Sequence, residues 1–216
     1  MPLYRSTDMT LKDIKYRFMA FAAAVCMVCG ARAAVSAASV MDAMQAKIAS
    51  SAAVEVMFTI NGASGNVQGS AIMSGSAFFF ETPDLCVWYD GKTQWALLRS
   101  SDEVNITEPT VEELTSTNPF AILSNYASTY KVRRLADSKG CYNLRLTPLS
   151  GKSAISAIDI SCDIKTKWPR TVKIVFADKR LISLSVDSIK AIAKQPASMF
   201  RYDKAKFPAA EIIDLR

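Results

Sequence analysis

Apolar residues recur along this chain with two different spacings, and each change of spacing marks where one kind of element gives way to another. Val40, Met44 and Ile48 fall four apart, which predicts an amphipathic helix from a Ser39 cap to about Ala49. From Val54 the period is two: Val54, Val56, Phe58 and Ile60 alternate with Glu55, Met57 and Thr59. Asn61-Gly62 then offers a turn before a weaker strand from Asn66 to Ser74. Ala77-Phe78-Phe79-Phe80 is apolar on both faces, Pro83-Asp84 breaks it, and Leu85 to Tyr89 resumes. Asp90-Gly91 is a hairpin signal that feeds Thr93 to Leu98, and Val104 to Thr107 alternates once more. After residue 129 the period of two returns in Tyr130 and Val132; Tyr142, Leu144 and Leu146; Ile158, Ile160 and Cys162; Val172, Ile174 and Phe176; and Ile182, Leu184 and Val186. Such alternation predicts about ten or eleven antiparallel strands, each with one apolar and one wet face.

Between the two runs of strands lies a helical interlude. Thr110 with Glu113 has the spacing of a capping box, and Asn118 with Pro119 places a cap and a first helical residue in order. Phe120, Ile122, Leu123 and Tyr126 make the second helix too short and too apolar to stand free in water, so it must lie on apolar surface from the strands. Many short antiparallel strands with helices at only two places predict a mainly β fold: an unclosed, half-barrel sheet with short helices as a lid over an apolar cavity. A barrel of this strand number is too wide for wall side chains to fill, so the helices or a ligand must fill it.

The N-terminus changes the charge and the compartment. Arg5, Lys12, Lys15 and Arg17 precede an apolar run from Phe18 to Val28, and Ala31-Arg32-Ala33 follows, the layout of a secretory signal cut after Ala33. The run is short of the roughly 20 residues that span a bilayer. Residues 34–216 are then expected to form one domain outside the inner membrane, in the periplasm. Removing residues 1–33 lowers the balance from +6 to +3, with 21 basic and 18 acidic residues left. That balance is too weak to argue for nucleic acid, and the basic residues Lys131, Arg133 and Arg134, and Lys165, Lys167 and Arg170, lack the aromatic interleaving of a single-strand binder. Cys86, Cys141 and Cys162 remain, allow at most one bridge, and have no metal or CxxC spacing; they read as small buried hydrophobes.

None of the 216 residues is histidine, which removes Ser-His and Cys-His nucleophiles and His-bearing zinc sites. Asp102-Glu103 and Glu112-Glu113 sit beside turn or helix-start positions, where acidic side chains are ordinary, and a Ser-Lys hydrolase is left as the one catalytic alternative. A binding protein without catalysis, metal or cofactor is the expectation.

Asp90-Gly91-Lys92-Thr93-Gln94-Trp95, Thr117-Asn118-Pro119-Phe120-Ala121-Ile122-Leu123 and Leu144-Arg145-Leu146-Thr147-Pro148 occur in an order and setting that resembles the periplasmic outer-membrane lipoprotein carrier protein family, the LolA type. The resemblance covers nearly all of residues 34–216. It implies an apolar cavity that takes the acyl chains of a lipoprotein from an inner-membrane releasing transporter and hands them to an outer-membrane receptor, by a monomeric carrier. The wall candidates are Phe58, Phe79, Trp95, Leu144, Leu146, Val172 and Ile174, and the lid candidates Pro119, Phe120, Ile122 and Leu123. Where that family has an arginine tying wall to lid, this chain has Gly75 ahead of Phe79, which leaves the polar latch open. A same-fold lipid-binding or envelope-sensing domain with a different ligand is the alternative. Either way binding must be partial: at about 0.8 kcal/mol per methylene, a fully enclosed chain of about 16 carbons would gain roughly 13 kcal/mol and not leave.

Overall fold

The change of apolar spacing after Ala49 is realised as a change from helix to sheet. The computed structural model describes residues 35–62, 65–110, 112–114 and 122–216, and within these it leaves undescribed the side chains of residues 123–125. Ser36–Arg216 forms one unit with its own core. Helix α1 (Ala37–Ala49) is capped by Ser36, whose extended backbone lets its Oγ accept the Ser39 N–H at 3.0 Å. The cap expected at Ser39 lies one turn upstream instead. Either serine can cap, and Ala37 and Ala38, the best of helix formers, extend the helix back to the earlier one.

The strands are β1 (Ala53–Gly62), β2 (Gly65–Ser74), β3 (Ala77–Glu81), β4 (Leu85–Tyr89), β5 (Gln94–Leu98), β6 (Glu103–Thr107), β7 (Tyr130–Arg134), β8 (Cys141–Pro148), β9 (Ile155–Asp163), β10 (Pro169–Phe176), β11 (Leu181–Ile192) and β12 (Glu211–Asp214). They form one open sheet in the order β12-β6-β5-β4-β3-β2-β1-β11-β10-β9-β8-β7, antiparallel throughout except for the parallel β12–β6 pair. The alternation predicted ten or eleven strands and did not include β12, which is short, mostly exposed and without a clear period of two. Asn61-Gly62 is not the turn either. Both residues continue the ladder as far as Gly62↔Gly65, and Asn61 Nδ2 donates sideways to Ser185 Oγ at 3.0 Å on β11.

Strand order explains the helical interlude. β1 to β6 wind outward in one direction, while β7 to β11 wind back until β11 pairs with β1, so β6 and β7 stand at opposite sides of the sheet. The connection between them must cross the whole sheet, and it does so carrying residues 112–114 in helical form and then α2 (Ile122–Thr129). The predicted capping box is present: the Glu113 carboxylate accepts the Thr110 N–H at 2.7 Å and the Thr110 hydroxyl at 2.8 Å. Farther on, Glu112 Oε1 accepts the Ala154 N–H at 2.6 Å, which pins the crossing to the β8–β9 turn. The expected helix start at Asn118 and Pro119 falls outside the described residues.

Two apolar clusters lie on the two faces. The larger joins α1 and α2 to Val54, Val56, Phe58, Phe78, Phe80 and the inward residues of β8 to β11. The smaller, on the opposite face, joins Cys86, Trp88, Leu97, Val104 and Ile106 to Ala210, with Phe79, Trp95, Tyr202 and Phe207 packed against it. It is covered by the segment after a short 3₁₀ turn, Ala197–Phe200: Trp88 meets the Tyr202 and Phe207 rings edge-on at 5.7 and 5.5 Å. Cys86, Cys141 and Cys162 are free thiols, the first and last of them buried.

One contact shows how tightly the larger cluster is built. Phe58 is fully buried, stacks on Phe80 at 5.0 Å between centroids, and lies over Gly69 of β2. A methyl group at Gly69 would strike the Phe58 ring and sit 2.7 Å from the Glu81 carbonyl oxygen. Gly69→Ala is therefore expected to lower stability by about 1–3 kcal/mol, read as a lower denaturant midpoint, whereas an alanine at Gly151, with nothing near, should be neutral.

Candidate functional site

The concave face of the sheet is apolar from one wing to the other. Val56 and Phe58 face inward on β1, Ala71 and Met73 on β2, Phe78 and Phe80 on β3, and Val87 and Tyr89 on β4. On the other wing Leu144, Leu146, Ile158, Ile160, Val172, Ile174 and Leu184 continue the same surface. Above it lie Val40, Met41 and Met44 of α1 and Ile122 and Tyr126 of α2, all buried. The helices thus do what an apolar ligand would do: they remove the wall from water.

Five of the wall candidates, Phe58, Leu144, Leu146, Val172 and Ile174, come together on this face, each at most 3% exposed. Phe79 and Trp95 do not. Both point to the convex face, where Phe79 opposes Trp88 and Trp88 opposes Trp95 across β3, β4 and β5. The placement expected for them on the cavity wall is corrected for a definite reason: Phe78-Phe79-Phe80 is apolar on both faces because it serves both clusters, so alternation gave no parity there. Of the lid candidates, Ile122 is 1% exposed beneath the roof, Leu123 belongs to the α2 backbone with its side chain undescribed, and Pro119 and Phe120 lie outside the described residues.

The polar tie within the roof was not anticipated. The Tyr126 hydroxyl of α2 donates a short hydrogen bond to Asp42 Oδ1 of α1, so one roof helix holds the other. Burial of the phenol, reinforced by the Asp42 carboxylate, pushes the Tyr126 pKa up to about 12. The signal was available in the sequence as a tyrosine in line with the apolar residues of the helix, but nothing local says which carboxylate it meets. Gly75 occupies the β2–β3 turn at φ 59°, a left-handed backbone in which a larger residue is strained.

A pocket of about 500 Å³ at the end of β5 and β6 is edged by Gln94, Thr107, Glu108, Glu113 and Arg216. The Gln94 Oε1 atom is buried with no hydrogen-bond partner among the described residues. On the convex face Arg99 reaches both Glu81 and the Cys86 sulfur, the latter at 2.9 Å. Burial raises the Cys86 thiol pKa, with the guanidinium opposing it, so the thiol stays protonated and unreactive. Among the described residues no three metal-ligating side chains cluster, and no helix is long and apolar enough to cross a membrane.

Comparisons with known proteins agree with this architecture. An uncharacterised conserved protein of Thermus thermophilus shares the fold with a TM-score of 0.58 at 11% identity, over 82% of this chain and 98% of that one. A LolA superfamily protein from Nitrosomonas europaea aligns at 13% identity with a TM-score of 0.45, over 78% of this chain and 99% of that one. MucB in the Pseudomonas aeruginosa MucA/MucB complex aligns at 12% identity with a TM-score of 0.40, over 77% of this chain and 61% of that one. No curated protein matches the sequence. Residues 27–177 do match a family profile, taking in α1, the roof crossing and the strands through β10. The chain belongs to the family described as outer membrane lipoprotein carrier protein LolA.

Proposed function

We propose that this protein is a periplasmic carrier that takes lipoprotein acyl chains onto its concave face, moves them between the inner and outer membranes, and performs no catalysis. The observation that carries the reading is the roofed apolar wall: one continuous hydrophobic surface, covered by two short helices that are tied to each other through the Tyr126 hydroxyl. The roof and an acyl chain compete for the same surface. Burying a methylene contributes about 0.8 kcal/mol, so each methylene of cargo that replaces a roof methylene gains almost nothing net, and affinity stays low enough for release. Residues 1–33 direct export and are removed, and an inner-membrane releasing transporter and an outer-membrane receptor supply and accept the cargo. Mass spectrometry of protein purified from the periplasm tests this directly. Co-purifying triacylated lipoprotein supports the carrier, and a free lipid as sole ligand would support the lipid-binding or envelope-sensing alternative instead.

Trimming the roof should separate its two roles. Met44→Ala or Ile122→Ala is expected to cost about 2–4 kcal/mol in denaturant unfolding and yet to tighten binding of a fluorescent fatty acid, because an internal competitor is removed. Phe79→Ala should also destabilise, by a smaller amount since the side chain is only half-buried, but leave fatty-acid affinity unchanged, because it faces the convex cluster. Equal effects of the two kinds of variant on binding would contradict the assignment of faces.

The helix tie gives a pH signature. Tyr126 is stabilised in its neutral form, so the stability it contributes is complete below its ordinary pKa of 10 and is lost as pH rises towards about 12. Tyr126→Phe should therefore cost about 1 kcal/mol at neutral pH, since Asp42 is exposed and regains water, and the gap between the two proteins should close between pH 10 and 12. Fatty-acid uptake should be faster in the variant at neutral pH, measured by stopped-flow fluorescence; an unchanged rate would mean the roof does not open between α1 and α2.

A further inference from the structure

Four of the basic residues that the sequence left unassigned, Arg134, Lys165, Lys167 and Arg170, come together at one place. The β7–β8 turn and the β9–β10 turn touch, with the Ile164 N–H donating to the Gly140 carbonyl at 3.0 Å. Around this contact Tyr142 is flanked by Arg134 at 4.3 Å and Lys167 at 4.8 Å, and the end of α1 brings Lys47 over Trp168 at 5.4 Å. Lys139 and Lys165 stand exposed on the two turns, and Arg170 follows at the start of β10. Six cations thus face two carboxylates, Asp137 and Asp163, an excess larger than the net +3 of residues 34–216.

The two carboxylates do not neutralise the rim. Asp137 is committed to Arg134, while Asp163 accepts the Thr166 N–H at 2.8 Å and pairs with Arg170 at 2.9 Å. Lys47, Lys139 and Lys165 are exposed and have no carboxylate within ion-pair distance among the described residues. Tyr142 and Trp168 are half-buried and pack against the concave apolar cluster, so the apolar wall runs out to the rim through two amphipathic rings with cations at their edge. Lysines beside Tyr and Trp at the border of an apolar surface are the side chains suited to the headgroup zone of a bilayer, where aromatics sit at the interface and cations meet anionic lipid.

We propose that this rim, formed by the β7–β8 and β9–β10 turns and the end of α1, docks reversibly on an anionic lipid bilayer and sets the mouth of the concave face against the membrane. The choice of a bilayer over an acidic protein rests on the acyl-carrier reading, since an acyl chain leaves and enters a membrane at such a surface; the charge arrangement stands without it.

The test uses flotation with vesicles of phosphatidylglycerol and phosphatidylcholine in comparable amounts, against pure phosphatidylcholine, for both the full chain and residues 36–216. Binding should appear on the anionic vesicles only and vanish in salt of about 1 M, where the screening length falls to roughly 3 Å. Neutralising Lys47, Lys139 and Lys165 together should weaken partition about 100-fold, at about five-fold for each cation, while replacing all three with arginine should keep it. Lys139→Asn suits this purpose because Lys139 sits at φ 51°, a backbone that asparagine tolerates better than lysine. Brominated acyl chains should quench Trp168, and the quenching should disappear in Trp168→Phe, since Trp88 and Trp95 lie on the convex face. Equal partition to both vesicle types, or a neutralised rim that binds as before, overturns the proposal and leaves the rim to an acidic protein partner. Fatty-acid binding in vesicle-free solution is measured beside it: its loss alone counts against the carrier reading, and loss of vesicle binding alone counts against the docking rim.

Discussion

The rest of the structure depends on one topological constraint: the chain must travel from β6 on one side of an open sheet to β7 on the other without a strand to follow. An open, strongly curved sheet buries only one face by its own curvature, and the crossing is the material that finishes the burial. That is why a helix stands between two blocks of strands. The crossing is also where a tyrosine hydroxyl ties that helix to α1. A roof made of a connection, fastened to its neighbour at few points, can be lifted without breaking a strand ladder. The ladder and the roof therefore sit at different levels of local stability within one cooperative unit.

The two faces of the sheet divide the labour. The concave face is built mainly of aliphatic and phenyl side chains, which suits cargo whose common feature is hydrocarbon. The convex face uses Trp95 and Trp88, the latter meeting Tyr202 and Phe207 edge-on, and it is covered by the chain's own C-terminal segment. Glu81 and Arg99, joined over Cys86, keep the β3 to β5 backbone in place between the two.

Much of this was legible in the sequence, and the failures have physical causes. Strict alternation in β8, β9 and β10 marked Leu144, Leu146, Val172 and Ile174 as inward-facing because a strand with one wet face has only one way to be placed. Phe78-Phe79-Phe80 could not be assigned in that way, since no polar residue breaks the run, and Phe79 and Trp95 were placed on the wrong side. The C-terminal cover was invisible because its contacts are single aromatic residues, Tyr202 and Phe207, spaced by loop geometry rather than by any helical or strand period. The helix tie was equally hidden: Asp42 and Tyr126 are far apart in the chain, and only the crossing brings them together.

An open sheet carries a hazard that a closed barrel avoids: each exposed edge is a template on which another copy could add a strand. On one side β12 lies along β6 in parallel, a pairing that is short and leaves Glu211 and Asp214 at its ends. On the other, β7 is five residues long and carries Lys131 and Arg133, which point away from the core. Two copies meeting edge to edge would bring these lysines and arginines together, or would have to pair with a strand that is almost entirely exposed and charged at both ends. The same short edges that make the molecule a half-barrel thus keep a crowded population of half-barrels from joining into a continuous sheet.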